Sequence, residues 1–414
     1  MPTLTNLPDQ KQPASPHPAA IRVLHIYQDF GAVGGIETWI RRITQPAAGP
    51  SVHHAVACSA GGPLMTALSA QGTPTFGLNT HKLFKTPLLR MLDVSTTLQL
   101  LGIIRQVRPD ILHVHIGQCE NLLGRLLGLP VVYSFHGYGT LYNIGQTPSA
   151  LKRAYKRLMR PLFQATARGV NALLFVSDTE RRRMTEEGYL SAGMPHCRTL
   201  HNGVDAEALL AAAGRMPAAA LKASLNLPGD ARLLTYVNRL DWNKDPLAFL
   251  RIAGAADAQL QDPRLHIVIA GDGVLRDEVK KAVADSPLKD RIRLTGYLSD
   301  VAPLIAASDL IVHTPHHEGF GLGVLEAMTL GTPVAAYAVD GINEVLSVPT
   351  CLVPPQQEAA MARTVCRLLR HSQDERQELA SQLMLAAEPF RLSHLREQLN
   401  AMYQQLASTH TASP

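Results

Sequence analysis

The sequence predicts an α/β protein built from two doubly wound parallel sheets that face each other across a cleft. Short runs of β-branched and aliphatic residues alternate with helix-length segments along most of the 414 residues. Runs that are apolar on both faces are typical of strands buried between two helical layers, so each run and the helix after it predict a βαβ unit. The runs fall at 21–27, 52–59, 111–116, 131–136 and 172–177, and again at 233–237, 265–270, 292–295, 310–314 and 333–337.

An Ala-rich stretch with several prolines, at about 205–228, separates the two series of strands. We therefore expect a flexible tail at 1–19, an N-terminal domain at 20–207 and a C-terminal domain at 208–390. A final helix and tail at 391–414 can pack back on the N-terminal domain. The chain up to residue 207 carries a net charge of +8 and the remainder −3, so the charge changes sign near the expected boundary.

The composition excludes several classes of protein. Apolar residues make up 46% of the chain, which is enough for large cores and excludes wholesale disorder. A net charge of +5 with only 5% aromatic residues does not suggest nucleic-acid binding. The five cysteines are scattered without a zinc-type spacing, which indicates reduced thiols. The sequence contains neither a signal-peptide pattern nor about 18 consecutive apolar residues, so we expect a cytoplasmic protein, at most attached to a membrane surface.

The most informative segment is 313–336, which reads HTPHHEGFGLGVLEAMTLGTPVAA. A predicted strand ends near Thr314, and a Gly-rich turn from Glu318 to Gly323 then begins a helix. Glycines allow close approach of a ligand to the backbone, and the first amides of a helix are free to bind oxygen atoms. Glu318 and Glu326, with seven residues between them, can accept hydrogen bonds from sugar or ribose hydroxyls. A capped surface helix with solvated glutamates is the simpler alternative, which the three glycines disfavour.

Two cations follow the first strand of the second series, where ligands of open α/β sheets bind. Arg239 and Lys244 lie in the segment LLTYVNRLDWNK. Such a pair can clamp a diphosphate and neutralise the charge that grows on a departing nucleoside diphosphate. Two exposed cations on a loop would be the default interpretation if this were the only motif.

Glycines and histidines also follow strands in the first half of the chain. Gly34 and Gly35 precede a helix and form either a tight turn or a phosphate-binding element, but they do not fit the dinucleotide pattern G-x-G-x-x-G. His136 ends a strand, where a single histidine is more often structural than catalytic. We expect His113 and His115 to point to opposite faces of their strand, to form no chelating pair and to be structural.

The segment 313–336 resembles the E-x7-E signature of GT-B glycosyltransferases, in particular the large retaining family called glycosyltransferase family 4. The family pattern E-G-F-G-x-x-x-x-E-A-M-x-x-G-x-P-V matches nearly letter for letter. The other family landmarks follow in the expected order over roughly residues 20–390: Gly34-Gly35-Ile36-Glu37, His136-Gly137, Asn202 to Asp205, Arg239 with Asn243-Lys244, and Gly271-Asp272-Gly273. One departure is Asn238, where the family usually has glycine.

The resemblance implies two Rossmann-like domains facing a cleft, the GT-B fold, and a retaining hexosyltransferase whose co-substrate is a nucleotide-sugar, with no other cofactor. It implies these catalytic residues: His136, Arg239, Lys244 and Glu318. It implies these donor-binding residues: Gly35, Asn202, Gly271, Gly273, Gly319, Phe320, Gly321, Leu322 and Glu326. Gly34, Glu37 and Asp205 would line the acceptor side of the cleft. The chain contains no Asp-x-Asp motif, so we expect a metal-independent enzyme in which Arg239 and Lys244 take the place of a metal ion.

The acceptor is less closely defined. The segment 151–168 begins at Leu151, ends at Arg168 and contains six basic residues and no acidic one. Such a basic amphipathic helix fits an anionic membrane surface or a solvated face equally well, and Pro161 is expected to kink or interrupt it. The resemblance favours a glycan or lipid-linked acceptor in cell-envelope polysaccharide or lipopolysaccharide biosynthesis, bound by the basic N-terminal half.

Two alternatives stay open from sequence. The first is a nucleotide-sugar epimerase or hydrolase on the same fold, and the second is a non-catalytic nucleotide-sugar-binding protein. The sequence does not define the donor base, the sugar, the linkage or the oligomeric state. We expect these choices to depend on a few cleft contacts and on loops such as 80–87 and 138–148.

Overall fold

Two parallel β-sheets form the framework of the protein. The computed structural model describes residues 20–27, 35–46, 52–79, 93–115, 119–136, 149–191, 194 and 196–411. The strands of the first sheet are β1 (Ile21–Tyr27), β2 (Val52–Ser59), β3 (Thr75–Leu78), β4 (Ile111–His115), β5 (Val131–Phe135), β6 (Ala172–Phe175) and β7 (Cys197–Thr199). Those of the second are β8 (Arg232–Val237), β9 (Leu265–Ala270), β10 (Ile292–Gly296), β11 (Leu310–His313), β12 (Val334–Tyr337) and β13 (Leu352–Val353).

The described helices cover both faces of the sheets. The helices that connect the first seven strands are α1 (Gly35–Thr44), α2 (Pro63–Ala70), α3 (Val94–Val107), α4 (Cys119–Leu126), α5 (Ser149–Gly169) and α6 (Asp178–Glu186). Those of the remaining chain are α7 (Ala206–Gly214), α8 (Ala218–Ser224), α9 (Pro246–Leu260), α10 (Arg276–Ala284), α11 (Ala302–Ala307), α12 (Leu322–Thr329), α13 (Ile342–Val345), α14 (Glu358–Leu369), α15 (Gln373–Ala387) and α16 (Leu392–Thr411). The predicted α/β class with two doubly wound sheets is confirmed.

All ten predicted strands are present, with ends that differ by at most two residues. Three strands were not predicted from the sequence: β3, β7 and β13. Each is the edge strand of its sheet and is only two to four residues long. These three strands carry no continuous apolar run from which to recognise them, whereas the fourth edge strand, β10, was predicted.

The strand order places a crevice at the carboxyl edge of each sheet. The orders are β3-β2-β1-β4-β5-β6-β7 and β10-β9-β8-β11-β12-β13. The direction of winding therefore reverses between β1 and β4, and again between β8 and β11. Ligands of open α/β sheets bind outside the carboxyl ends of strands at such a switch point. In the second sheet, residues 238–245 and 314–321 occupy this position.

The chain passes between the two sheets twice, and the two passages run side by side. Val204 and Arg391 form an isolated parallel bridge. The amide of Val204 donates to the carbonyl of Phe390 at 2.9 Å, and the amide of Leu392 donates to the carbonyl of Val204 at 2.9 Å. After this crossing, α16 packs on the first sheet, where buried Tyr403 joins the same apolar cluster as Trp39 of α1.

Helix α5 contains the basic segment. It runs without interruption past Pro161, because Phe163 and Ala167 are buried in the first sheet's core and hold the helix in place, and Met159, four residues before Phe163, is buried as well. Among the described residues, no helix combines the length and the apolar character that a membrane span requires.

Candidate active site

The loop after β8 carries Arg239 and Lys244 at the carboxyl edge of the second sheet. Asp241 organises this loop: its Oδ1 accepts the backbone N–H of Lys244 at 3.0 Å, and its Oδ2 lies 3.1 Å from the guanidinium of Arg239. The loop ends where the side chain of Asp245 caps α9 by accepting the amide of Ala248 at 3.0 Å. The two cations have different environments, since the side chain of Lys244 is 10% exposed and that of Arg239 is 56% exposed.

Lys244 belongs to a buried polar cluster with Glu318 and His313. The Nζ of Lys244 pairs with Oε2 of Glu318, and Nε2 of His313 lies 3.1 Å from the same oxygen. On the other side of the imidazole, Nδ2 of Asn238 donates to Nδ1 of His313 at 2.7 Å. This bond leaves Nε2 as the protonated nitrogen, which donates to the carboxylate. Asn238, the departure from the family pattern, thus fixes the orientation of His313.

The charges of this cluster are set by burial and by the partners. Burial acts to raise the pKa of Glu318, but the charge of Lys244 and the hydrogen bond from His313 outweigh it and hold the pKa well below its usual range. Burial lowers the pKa of His313 in spite of the carboxylate beside it. The cluster therefore holds one cation, one carboxylate that only accepts hydrogen bonds, and one neutral imidazole.

The Gly-rich turn places the N-terminus of α12 at the same edge of the sheet. Gly321 has φ +95°, a conformation that strongly favours glycine, and a Cβ there would lie 2.4 Å from Cδ1 of Ile342. The first intrahelical amide is that of Val324, which donates to the carbonyl of Gly321 at 3.0 Å. The amides of Leu322 and Gly323 precede that bond and can donate to an oxygen ligand.

Two glycines predicted to bind the donor lie where the backbone packing leaves no room for a Cβ atom. Gly271 has φ +148°, and a Cβ there would lie 1.8 Å from the carbonyl oxygen of Asn238. A Cβ on Gly273 would lie 2.4 Å from the carbonyl oxygen of Leu240. Both glycines let the loop after β9 pack against the backbone of the loop that carries Arg239.

Glu326 is held by a residue of α1, across the space between the sheets. Its Oε1 lies 2.7 Å from Nη2 of Arg42, whose Nη1 donates to the carbonyl of Gly203 at 3.2 Å. Gly35, at the start of α1, also faces α12, because its Cβ position is 3.8 Å from Cδ1 of Leu322. The two carboxylates of the E-x7-E motif thus have different partners, one from each side of the cleft.

Three further residues predicted to bind the donor are buried or take part in close packing. Phe320 is buried and packs edge-on against Phe390 with ring centroids 5.5 Å apart. The carbonyl oxygen of Gly319 lies 2.3 Å from where a Cβ would stand on Gly341. Asn202 is buried, and its Oδ1 has no hydrogen-bond partner among the described residues.

Residues predicted on the acceptor side have mainly structural contacts. Asp205 caps α7 by accepting the amide of Ala208 at 3.0 Å. Glu37 is buried and accepts the hydroxyl of Tyr27 at 2.6 Å. Gly34 and the loops 80–87 and 138–148 lie outside the described residues.

His136 is the end of a hydrogen-bonded row of imidazoles. Nε2 of His136 lies 3.0 Å from Nδ1 of His115, and Nε2 of His115 lies 3.0 Å from Nδ1 of His25. Nε2 of His25 lies 2.9 Å from Nδ1 of His54. Burial lowers the pKa of His136 to about 3 and keeps its ring neutral.

The expectation that His113 and His115 point to opposite faces is wrong. Their rings stack with centroids 4.2 Å apart, because residues two positions apart in a strand share a face. Nδ1 of His113 lies 2.5 Å from the hydroxyl of Tyr403, and its Nε2 lies 2.7 Å from Oγ of Ser134. The histidines in the neighbouring strands β1 and β2, and the one directly after β5, were the signal in the sequence that would have predicted this cluster.

A further contact between the two sheets involves a carboxylate that belongs to no recognised sequence motif. Glu344 of α13 accepts the amide of Asp178 at 2.8 Å and that of Thr179, the first residues of α6, and lies 3.0 Å from Nε2 of His201. Burial acts to raise the pKa of Glu344, but the bonds from His201, Thr179 and Asp178 outweigh it and lower the pKa to about 2. The ionised side chain thereby caps a helix of the first sheet.

Comparisons with known proteins identify the family of the chain. A family model described as Glycosyltransferase Family 4 matches residues 33–208, and one described as Glycosyl transferases group 1 matches residues 218–383. The chain is 30% identical over 280 residues to a 2-deoxystreptamine glucosyltransferase of Streptomyces kanamyceticus, covering 64% of this chain and 69% of the relative.

A second relative and a solved structure extend the comparison. Over 257 residues the chain is 27% identical to an Escherichia coli UDP-Gal:alpha-D-GlcNAc-diphosphoundecaprenol alpha-1,3-galactosyltransferase, covering 61% of this chain and 63% of that protein. The crystal structure of Anabaena Alr3699/HepE in complex with UDP-glucose superposes with a TM-score of 0.74 at 19% identity, covering 93% of this chain and 100% of that one. This superposition shows the fold. The chain therefore belongs to the group 1 glycosyltransferases and has their GT-B fold of two facing Rossmann-like sheets.

Proposed function

We propose that the protein transfers a hexose from a UDP-sugar to a hydroxyl of a glycan or lipid-linked acceptor, with retention of the anomeric configuration and without a metal ion. The observation that carries the proposal is the buried cluster of Lys244, Glu318 and His313 beside the exposed cation Arg239. The UDP-glucose bound by HepE and the donor named for the Escherichia coli relative support the choice of UDP.

In this proposal the protein supplies positioning and charge. Lys244, Arg239 and the free amides of α12 bind the diphosphate oxygens and stabilise the charge that develops as the sugar leaves. Glu318 accepts hydrogen bonds from sugar hydroxyls. The bond from the anomeric carbon to phosphate breaks, the bond to the acceptor oxygen forms on the same face, and the acceptor's proton passes to the departing phosphate oxygen.

The donor is tested by thermal stabilisation. We expect UDP-sugars to raise the melting temperature by mass action more than GDP- or ADP-sugars do. The absence of a shift with all three nucleotide-sugars would contradict nucleotide-sugar binding.

Two further measurements test the reaction itself. Turnover in the presence of EDTA tests metal independence, and the coupling constant of the new anomeric proton tests retention. Consumption of the donor at an undiminished rate without acceptor would favour the epimerase or hydrolase alternative.

We also propose that α4 and α5 contact an anionic lipid surface that holds the acceptor. The two helices pack together and carry exposed leucines beside arginines: Leu122 and Leu126 on α4 are 49% and 76% exposed, and Leu158 on α5 is 54% exposed. Apolar side chains among cations are typical of surfaces that lie in the headgroup region of a membrane.

Sedimentation with vesicles tests this second proposal. We expect binding to vesicles rich in phosphatidylglycerol at low salt, with weaker binding at high salt or to zwitterionic vesicles. The variant Leu126→Gln should sediment less, whereas Leu385→Gln, an exposed leucine on α15, serves as the matched control. Equal sedimentation under all conditions and for all variants would contradict membrane contact.

A further inference from the structure

The row of imidazoles that ends at His136 restricts the tautomer of that residue. His54, His25, His115 and His136 are linked by three bonds of 2.9 to 3.0 Å, each from a ring nitrogen of one residue to a ring nitrogen of the next. Burial, as the largest cause, lowers the pKa of all four, so each ring is neutral with a single N–H. A neutral imidazole can donate only once, and hence all three bonds must run in the same direction.

Only two arrangements satisfy this condition. If Nδ1 of His54 donates to His25, each following ring donates in turn, and His136 is left with its proton on Nδ1. If the direction is reversed, His136 donates through Nε2, and its Nδ1 becomes an acceptor. No described residue hydrogen-bonds Nδ1 of His136, which directly follows β5 at the carboxyl edge of the sheet and is partly exposed. The direction of the row therefore decides what this nitrogen offers to a ligand.

A fixed charge at the far end of the row favours one direction. After burial, the guanidinium of Arg396 on α16 is the next largest cause that lowers the pKa of His54. Nη2 of Arg396 donates to the carbonyl of Arg42, and its buried Nε has no partner among the described residues. Nδ1 of His54 is engaged by His25, so Nε2 is the ring nitrogen that remains to face a cation. A nearby cation repels an N–H and attracts a lone pair, so it favours an unprotonated Nε2 on His54 and the proton on Nδ1.

We propose that His54, His25 and His115 are positioning residues, which together with Arg396 hold His136 in the tautomer protonated at Nδ1. His136 then presents a hydrogen-bond donor to the cleft and cannot accept a proton at that nitrogen. The role of this donor rests on the proposed function: it binds a hydroxyl oxygen of the transferred sugar. His136 acts by orientation, which agrees with a reaction in which the leaving phosphate takes the acceptor's proton.

A metal site is the competing explanation of the same cluster. Ring nitrogens of His25, His113 and His115 lie within 4.8 Å of one another, close enough to share an ion. Both nitrogens of His113 are however engaged, by Tyr403 and by Ser134. Binding an ion there would require His113 to give up one of these bonds, whereas the hydrogen-bonded row requires no rearrangement.

The tautomer can be read directly from the full-length protein labelled with 15N-histidine. Long-range proton–nitrogen spectra distinguish protonated from unprotonated ring nitrogens, and the spectrum of His136→Asn assigns the signals of His136. We expect Nδ1 of His136 to be protonated in the wild type and the protonated fraction to fall in Arg396→Met. A wild-type His136 protonated at Nε2, or stoichiometric zinc in the purified protein, would overturn the proposal. This measurement does not depend on finding a substrate.

Kinetics with the donor found by thermal screening test the consequence. His115→Phe interrupts the row, and we expect kcat to fall about tenfold with little change in the KM for the donor, as for the loss of one hydrogen bond. His115→Asn places an amide near the position of Nδ1 and should restore most of the rate. His113→Asn is the matched control, because His113 is equally buried in the same cluster but outside the row.

The possible outcomes separate the two proposals. If kcat falls equally in His113→Asn and His115→Phe, the row has only a packing role and the inference is overturned. The same conclusion follows if His115→Asn keeps the wild-type melting temperature but does not recover the rate. If no donor is turned over by the wild type, the proposed function fails, while the spectra still decide the tautomer.

Discussion

The guanidinium of Arg42 lies 2.7 Å from the carboxylate of Glu326, so that a helix of the first sheet holds the second acid of the E-x7-E motif. Both side chains are largely buried, at 17% and 15% exposure. This ion pair joins the two sheets at the side of the cleft where α1 faces α12. The motif is therefore part of the contact between the two sheets as well as of the candidate donor site.

The first prediction concerns this ion pair. Arg42→Met should lower the melting temperature by about 2–4 °C, corresponding to about 1 kcal/mol, because it leaves a partly buried carboxylate without its partner. Glu326→Gln should have a similar effect. The double variant should lose clearly less than the sum of the two single variants, since each removes the same interaction. Additive losses in this thermal double-mutant cycle would show that the pair is not coupled.

The second prediction concerns Lys244. Lys244→Ala should reduce transferase turnover about 100-fold or more, because in the proposed function it removes the charge that binds the leaving diphosphate, and because it leaves Glu318 buried without its cation. The comparison is Lys289→Ala, which removes an exposed lysine after α10 and should retain normal turnover. Far-ultraviolet circular dichroism verifies that both variants are folded. Near-normal turnover of Lys244→Ala would contradict the assignment of this residue to the diphosphate clamp.

The third prediction concerns Asn238, which replaces the usual family glycine. Asn238→Gly should lower the melting temperature by about 2–4 °C, because Nδ1 of buried His313 loses its hydrogen-bond donor. Asn238→Asp removes the N–H at nearly constant shape and should destabilise as well. A variant with glycine that melts at the wild-type temperature would show that the bond between Asn238 and His313 contributes nothing.

The fourth prediction concerns acid stability. The pKa of Glu344 is lowered from 4.5 to about 2 by its bonds, so its contribution to stability is complete above pH 4.5 and is lost as the pH falls from 4.5 toward 2. Melting temperatures over this interval should fall less steeply for Glu344→Gln than for the wild type. At neutral pH the variant should already be less stable. Glu378→Gln, an exposed glutamate of α15, should retain the wild-type slope.

The fifth prediction concerns the loop after β9. Gly271→Ala should destabilise the protein by about 3 kcal/mol or more, because its Cβ would lie 1.8 Å from the carbonyl oxygen of Asn238 at a positive φ. Gly254→Ala in α9 meets open space and should stabilise by about 0.5–1 kcal/mol through helix propensity. Thermal unfolding checks both changes, and equal effects would contradict the close backbone contact at Gly271.

The sequence by itself determined the two sheets, ten of the thirteen described strands and the family. These follow from local patterns: a central parallel strand must be apolar on both faces, and a Gly-rich turn before a helix needs particular residues at particular places. The short edge strands β3, β7 and β13 lack such a pattern and were therefore not predicted. The sequence also predicts in part that Lys244 and Glu318 lie close together. Lys244 is in the loop after β8 and Glu318 is in the loop after β11, and these two strands are neighbours at a switch point.

Only the tertiary structure decided which partners these residues have. Arg42 and Glu326 are 284 residues apart in the chain, and Glu344 lies 166 residues from the amide of Asp178. The imidazole row likewise requires β2, β1, β4 and β5 to be adjacent in that order. Hydrogen bonds and ion pairs act over a few ångströms, and no periodicity along the chain encodes which distant side chains meet at that distance. The sequence therefore identified the chemical groups, and the packing of the two sheets determined which groups act together.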